Sequence, residues 1–540
     1  MRRLTTALML FAMYGTAFAD GLAGLREICA PGDTAVLGAV KVSGIVVSDC
    51  GSPNMELNPN LKFDIVDVSL NERTAYIQEA DGNCGVRIVF NEAEANTLKR
   101  YDKVVLNLEG GVLCHESNPD RITVRGLAAS AVQERSAGTV ADVAVKQKFI
   151  SELTDSDIYT QVVLKDLEMV FKDGSYADIY EPYGQYCEPL HEGLYTINKR
   201  MDGWASLLRD GRGSTIYLLV NTKCPWRRTG KPLVAGTGPV TGIIVHTPMR
   251  RYGGDMGRFC IRPVDASDIG FSRKNKSSWK QLSGWCLDGT NGQQLEFEML
   301  GIQGGVWKNG RKGDKLVSDR GRARSLFWTD SDSFIHIDSD INALDLAGKG
   351  YTNNGAVFFK GPSTGWFTFD AAGNPTGVKS FYLDVDARKV SGNEMAFNFS
   401  WYAGTQDANK GWGFPAEWTL EYRIDGGGWK PLTETATGAS VIYLRGLPWW
   451  DLRLVAPGIS RGCRTSYDCG LGAQQRSFRI PPDAFGHMFT VRIRPASYRL
   501  FMPPRDPSAS AVNDDETINE SFKDSAFTWI RFGDITIDYK

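Results

Sequence analysis

The chain has little of what most metal and proton-transfer chemistry is built from. Histidine occurs five times in 540 residues, and no two cysteines stand in a Cys-x-x-Cys pair. That excludes a zinc site of the ribbon or finger type, and the adjacent Cys114-His115 cannot supply a tetrahedral site alone. An excess of charge is lacking too, since 61 basic and 63 acidic residues leave a net charge of −2. No global field draws the chain to nucleic acid or to an anionic membrane. Beyond the first twenty residues there is no apolar run of about eighteen residues, the length that a spanning helix needs.

What the chain does have begins at its first residue. Met1-Arg-Arg is a positive start, Leu4 to Tyr14 is mostly apolar, and Ala17-Phe18-Ala19 places small residues ahead of Asp20, where a signal peptidase needs them. The sequence predicts a signal peptide over residues 1–19, cleaved after Ala19, and export to the periplasm or the medium. A bacterial lipid anchor would need a cysteine directly after the apolar run, whereas Cys29 follows Arg26-Glu-Ile, so there is no lipobox. All ten cysteines, at 29, 50, 84, 114, 187, 224, 260, 286, 463 and 469, lie past the cleavage point. An even number in an oxidising compartment predicts disulfides. Cys463 and Cys469 are the natural local pair, their loop worth about 2 kcal/mol on the chain-entropy model.

Abundant glycine (58 residues) and aromatics (11%) favour turns and half-buried strands over helices. Between Ala35 and Ser130 the pattern predicts five short strands: Val36 to Val47, Arg73 to Gln78, Gly85 to Phe90, Lys103 to Leu108 and Arg121 to Arg125. A helical turn over Glu92 to Lys99 falls between the third and fourth. This is the layout of the oligonucleotide/oligosaccharide-binding (OB) barrel, assigned here to residues 30–140. Residues 150–272 read as a second barrel, carrying an aromatic-rich insertion from Tyr176 to Arg212. Two echoes suggest duplication: Val42-Ser-Gly-Ile-Val-Val47 with Val240-Thr-Gly-Ile-Ile-Val245, and Arg121-Ile-Thr-Val-Arg with Arg258-Phe-Cys-Ile-Arg. From Arg273 the texture changes, with twelve of the fourteen tryptophans at or beyond Trp279. Met395, Phe397, Phe399 and Trp401 alternate with small or polar residues, as do Trp418, Leu420 and Tyr422, which predicts packed antiparallel sheets over residues 275–540. A short extra strand pair is placed at residues 279–310 and a polar loop at residues 505–519. The predicted fold is all-β: two OB-like barrels followed by a jelly-roll-like β-sandwich.

Several of these segments also carry a resemblance. Val42-Ser-Gly-Ile-Val-Val-Ser48, Thr74-Ala-Tyr-Ile-Gln-Glu, Glu152-Leu-Thr-Asp-Ser-Asp, Gly242-Ile-Ile-Val, Arg258-Phe-Cys-Ile-Arg-Pro and Ser267-Asp-Ile, behind a signal peptide, resemble an uncharacterised domain family of exported proteins from Gram-negative bacteria. The resemblance covers residues 35–271 and implies OB-like barrels, often followed by a β-sandwich. It carries no catalytic residue across. Members are often lipoproteins, and the missing lipid-site cysteine is a departure from that pattern.

Candidate sites are sparse. Glu417, Glu421 and Asp425 lie along one hairpin, where Glu417 and Glu421 share an outward face, and a solvated strand face accounts for them more simply than a carboxylate pair. Asp330-Ser-Asp332 and Asp338-Ser-Asp340-Ile-Asn342 offer alternate oxygen ligands, but Ala343 and Lys349 stand where an EF-hand needs Gly and Glu, leaving only an irregular calcium site to consider, with Asp384, Asp386 and Asp534. No metal or cofactor is assigned. Sugar binding asks for an exposed aromatic surface beside planar polar groups, and Trp449, Trp450, Asp451 and Arg453 after the turn Gly446-Leu-Pro448, with Trp412 between two glycines, are the predicted ligand-binding residues. Stacking on nucleic acid would use Tyr76 and Phe90, the aromatics of the second and third strands, or the patches Arg250-Arg-Tyr252 and Trp226-Arg-Arg228. The expectation is an exported, non-catalytic protein that binds carbohydrate or a cell-surface partner. A nucleic-acid-binding or nuclease-associated protein and a purely structural component are the rivals.

Overall fold

Short alternating segments punctuated by glycine cannot bury an apolar face alone, and the chain resolves this by closing some sheets and stacking others. The computed structural model describes residues 21–52, 54–55, 69–171, 206–220, 224, 236–247 and 256–285. It then describes 295–297, 302–304, 315–318, 320–330, 335–338, 356–360, 366–405, 414–415, 417–443, 446–447, 474–498, 500–501, 518–519 and 528–540. The predicted signal peptide lies outside these residues. The described residues are nearly all β, and no helix among them is long and apolar enough to cross a membrane. They fall into two compact units.

The first unit, within Met1–Met55, Ser69–Lys146 and Thr154–Gln161, is one eight-stranded sheet. Its strands are β1 (Thr34–Val36), β2 (Lys41–Val46), β3 (Thr74–Gln78), β4 (Gly85–Phe90), β5 (Lys103–Asn107), β6 (Val112–Glu116), β7 (Arg121–Leu127) and β8 (Val132–Ser136). They run in the order β1-β6-β7-β4-β3-β2-β5-β8, with β4 and β7 parallel. The five predicted strands are present as β2, β3, β4, β5 and β7, in OB-like order. The barrel stays open between β5 and β7, because β7 pairs on to β6 and β5 pairs on to β8. The predicted helix at Glu92 to Lys99 shrinks to a 3-10 turn, Ala93–Ala95. Asn96 ends it: its side chain donates to the carbonyls of Glu72 and Thr74, offering the backbone an alternative to helix. The one α-helix described instead precedes β3, at Ser69–Arg73.

The second unit holds a barrel that does close. Its strands are β9 (Gln161–Met169), β10 (Ser206–Asp210), β11 (Thr215–Leu218), β12 (Gly238–Val245) and β13 (Cys260–Arg262). They form the ring β9-β10-β11-β13-β12, in which β11 and β13 are parallel. Fully buried Ser206–Asp210 is thus barrel rather than insertion, a correction to the Tyr176 to Arg212 assignment. The two barrels share one strand order, so β2 corresponds to β9 and β5 to β12. The stronger sequence echo therefore aligns the wrong strands, β2 with β12, while the weaker one aligns the true counterparts β7 and β13. A common steric need explains the false match. A Cβ on Gly44 would lie 2.5 Å from Ile77 Cγ2 and 2.9 Å from the Gln78 carbonyl, and one on Gly242 would lie 2.6 Å from Ile261 Cγ1 and 2.9 Å from the Arg262 carbonyl.

The same unit contains the sandwich. Its framework strands are β14 (Lys280–Trp285), β15 (Ser325–Thr329), β16 (Phe381–Asp386), β17 (Met395–Thr405), β18 (Glu417–Ile424), β19 (Lys430–Leu432), β20 (Gln474–Ile480), β21 (Met488–Pro495) and β22 (Thr528–Tyr539). An eight-stranded sheet is built on β14, β17, β20 and β22, and a nine-stranded sheet carries β15-β16-β21-β18-β19 in that order. The extra strand pair of residues 279–310 is an antiparallel hairpin, Leu295–Phe297 with Ile302–Gly304, at the end of the nine-stranded sheet. Between the sheets lies an aromatic core in which Trp366, Trp401 and Trp418 are wholly buried, with Trp401 and Trp418 edge to face at 5.3 Å. The alternating sets Met395, Phe397, Phe399, Trp401 and Trp418, Leu420, Tyr422 all face this core, as their period-two spacing predicts. Strand β10 docks on the sandwich through Arg209, which pairs with Glu168 at 2.7 Å and Asp538 at 3.0 Å and lies 4.1 Å from the Trp279 ring.

The expected disulfides are not found among the described residues. Cys29, Cys50, Cys84, Cys114, Cys224 and Cys260 stand as thiols outside any disulfide. Burial in separate hydrogen-bonded settings explains this in part: Cys84 accepts from Arg26 Nη1 at 2.7 Å inside the first unit, and Cys260 donates to the Met256 carbonyl at 3.5 Å in the second. Burial pushes the Cys84 thiol up, with Arg26 opposing. Cys187, Cys286, Cys463 and Cys469, with the predicted local pair, lie outside the described residues.

Candidate functional site

On one sheet, alternation sends every second residue outward, and on the nine-stranded sheet those positions are unusual. Where solvated strands carry Ser, Thr or Lys, strands β15, β16, β21 and β18 present Trp328, Tyr382, Arg492 and Glu421. Antiparallel register puts these four directly opposite one another: Trp328 beside Tyr382, Tyr382 beside Arg492, Arg492 beside Glu421. Neighbouring strands lie about 4.8 Å apart, so the row extends about 14 Å across the face. All four residues are half-buried, with their inner neighbours Phe327, Leu383, Val491 and Leu420 in the core.

Geometry along the row is tightly specified. The rings of Trp328 and Tyr382 stack at 4.2 Å and 16°. Trp328 Nε1 and Thr490 Oγ1 each donate to Asp384 at 2.8 Å, and Lys315 stands 3.5 Å from the same carboxylate and 4.7 Å from the indole. The Tyr382 hydroxyl donates to Asp330 at 2.8 Å, and burial together with that carboxylate raises its pKa. At the other end, Glu421 accepts from Nε of both Arg492 and Arg494 at 2.9 Å and from Nη2 of Arg494 at 3.1 Å. Burial works to raise Glu421, but the two arginines outweigh it and hold the carboxyl below its ordinary value. Trp429 follows the turn Asp425–Gly428, whose Asp425 and Gly426 take positive φ. Its indole lies 6.3 Å from the Tyr382 ring and carries the guanidiniums of Arg492 at 4.1 Å and Arg423 at 4.5 Å. Half-buried aromatic surface, planar guanidiniums and carboxylates are thus interleaved on one continuous face, a composition that suits a polyhydroxylated polymer laid along it.

The residues singled out by sequence fare unequally. Glu417 and Glu421 do share the outward face, where Glu417 accepts from Ser497 and Glu421 is held by its two arginines. Asp425 is bonded by His487 at 2.6 Å. Trp412, Trp449, Trp450, Asp451 and Arg453 lie outside the described residues, as do Arg250–Tyr252 and Trp226–Arg228. Tyr76 and Phe90 are buried, so neither ring is open to a base. For calcium, Asp330 accepts from Ser380 N and Tyr382, Asp384 from Trp328 and Thr490, and Asp386 from Arg388. No group of three or more potential ligands is placed to hold a metal among the described residues; Asp332, Asp340 and Asn342, and the side chains of Asp338 and Asp534, lie outside them. His115 is buried between the Cys29 carbonyl at 2.8 Å and Asp120 at 2.7 Å, which ties it into the barrel wall. The pentapeptide Gly361-Pro-Ser-Thr-Gly365 has nucleophile-elbow spacing and lies outside the described residues.

Sequence reasoning missed Trp328, Tyr382, Trp429, Arg423, Arg492 and Arg494. A signal was present: in Ser325-Leu-Phe-Trp-Thr the buried parity belongs to Phe327, so Trp328 must face out. No protein-family model matches the chain, and no curated protein is significantly similar to it.

Proposed function

We propose that this is an exported, non-catalytic binding protein whose sandwich lays a saccharide polymer along the outer face of its nine-stranded sheet. The observation that carries the reading is the register row Trp328–Tyr382–Arg492–Glu421 with Trp429 beside it. A flat, extended row suits a chain of repeating units better than a small molecule, which binds in a concavity that covers most of its surface. The side-chain hydrogen bonds and ion pairs described above hold the row in place before any ligand arrives, so little conformational entropy is lost on binding.

Affinity electrophoresis of the full chain through gels containing neutral or acidic polysaccharides tests this. Retardation by at least one polysaccharide is expected, with mobility restored in Trp328→Ala and Trp429→Ala while the thermal unfolding of both variants stays cooperative. Retardation unchanged in both variants would place binding elsewhere, and its absence in every gel would end the proposal.

A further inference from the structure

Resting on the saccharide reading, we propose that the polymer is acidic and that its carboxylates seat at the Trp429 end of the row, on Arg423 and Arg492. The two ends are electrically unlike. Around Trp328 and Tyr382 stand two carboxylates, Asp384, which pairs with the ammonium of Lys315, and Asp330, which accepts from the Tyr382 hydroxyl. Toward Trp429 the balance reverses: Arg423 and Arg492 stack on the indole, and the carboxylate of Glu421 pairs with Arg492 and Arg494 but not with Arg423.

Glu421 is fully engaged by Arg492 and Arg494 and has nothing left for Arg423. Arg423 makes no ion pair or hydrogen bond among the described residues, and its Nε is buried without an acceptor. Its cross-strand neighbour is the neutral Thr490. What positions it is the Trp429 indole, 4.5 Å from its guanidinium, with Arg492 at 4.1 Å from the same ring. An arginine braced by stacking keeps its N–H fork free, and that planar fork matches a carboxylate bidentately. The uncompensated charge is sparse over a row of about 14 Å, which fits a uronate chain with one carboxylate per ring better than a densely sulfated one.

The test is calorimetric titration of the full chain with polygalacturonate, with its methyl-esterified form and with dextran sulfate, each at low and high salt. The free acid is expected to bind at least about tenfold more tightly than the ester, the loss of one charge-assisted hydrogen bond. Salt should narrow that gap. Arg423→Gln should erase the acid-over-ester preference, and Arg423→Lys, which keeps the charge and loses the fork, should restore part of it. Equal affinity for acid and ester overturns the acidic assignment while leaving saccharide binding intact. Preference for dextran sulfate overturns the carboxylate in favour of sulfate. No binding to any of the three, together with no retardation in the gels, removes the parent reading and this one with it. Should the Arg423 variants fail to fold, the acid-against-ester comparison on the unaltered chain decides alone.

Discussion

Arg209 and Glu421 stand at the centres of two clusters made of the same parts in opposite proportion. One arginine lies between two carboxylates in the first, and one carboxylate between two arginines in the second. Each uses a tryptophan as a platform, Trp279 for Arg209 and Trp429 for Arg492. What separates them is water. The side chains of Arg209 and Glu168 are 3% and 4% exposed, whereas those of Arg492 and Glu421 are 22% and 16% exposed. A buried charge must find its counter-charge within the protein, so the Arg209 cluster is committed to joining barrel and sandwich. A half-exposed cluster with surplus cation keeps donors in reach of a ligand. Composition is shared, and burial sets the role.

The comparison is broken most severely at the buried end. Arg209→Ala leaves Glu168 and Asp538 facing each other without a cation, and denaturant unfolding should show a loss of about 3–5 kcal/mol. A loss below about 1 kcal/mol would mean that the triad is solvated like a surface pair. Glu421→Gln is expected to cost at most about 1 kcal/mol at neutral pH. Its cost should depend on pH in a defined direction. Because Glu421 is held below its ordinary value in the folded protein, its contribution is complete above the unfolded value, about 4.3, and is lost as pH falls through the folded one. Stability curves of Glu421→Gln and the unaltered protein should therefore converge in acid; parallel curves would contradict the assignment. The smallest effect on stability is predicted, from sequence alone, at Trp450→Ala, within about 0.5 kcal/mol, the range of substitutions away from the core. If polysaccharide retention nonetheless disappears there and survives in Trp429→Ala, the ligand belongs to the segment Trp449 to Arg453 and not to the sheet face.

Much of the fold could be read directly. The five strands of the first barrel and the alternating core sets of the sandwich follow from period-two spacing, which is local. What escaped was non-local or rested on single side chains. Asn96 unwinds the predicted helix through carbonyls at Glu72 and Thr74, contacts invisible until β3 lies beside it. The Val42 and Val240 segments look alike because both need a glycine at a close crossing, not because they are the same strand of two copies. The cysteines count to an even number, yet six of them stand as thiols, since parity says nothing about whether two sulfurs meet.

By itself the sequence determined the class of structure and which face of each strand turns inward, because both depend on the alternation of apolar and polar residues along short stretches. It could also say that Trp328 faces out. Only the tertiary structure decided that positions 328, 382, 492 and 421 form one row, that one barrel closes while the other stays open, and that Arg209 is buried while Arg492 meets solvent. Those outcomes depend on pairing between strands tens to hundreds of residues apart, where register and burial are fixed by the packing of the whole sheet and not by any segment within it.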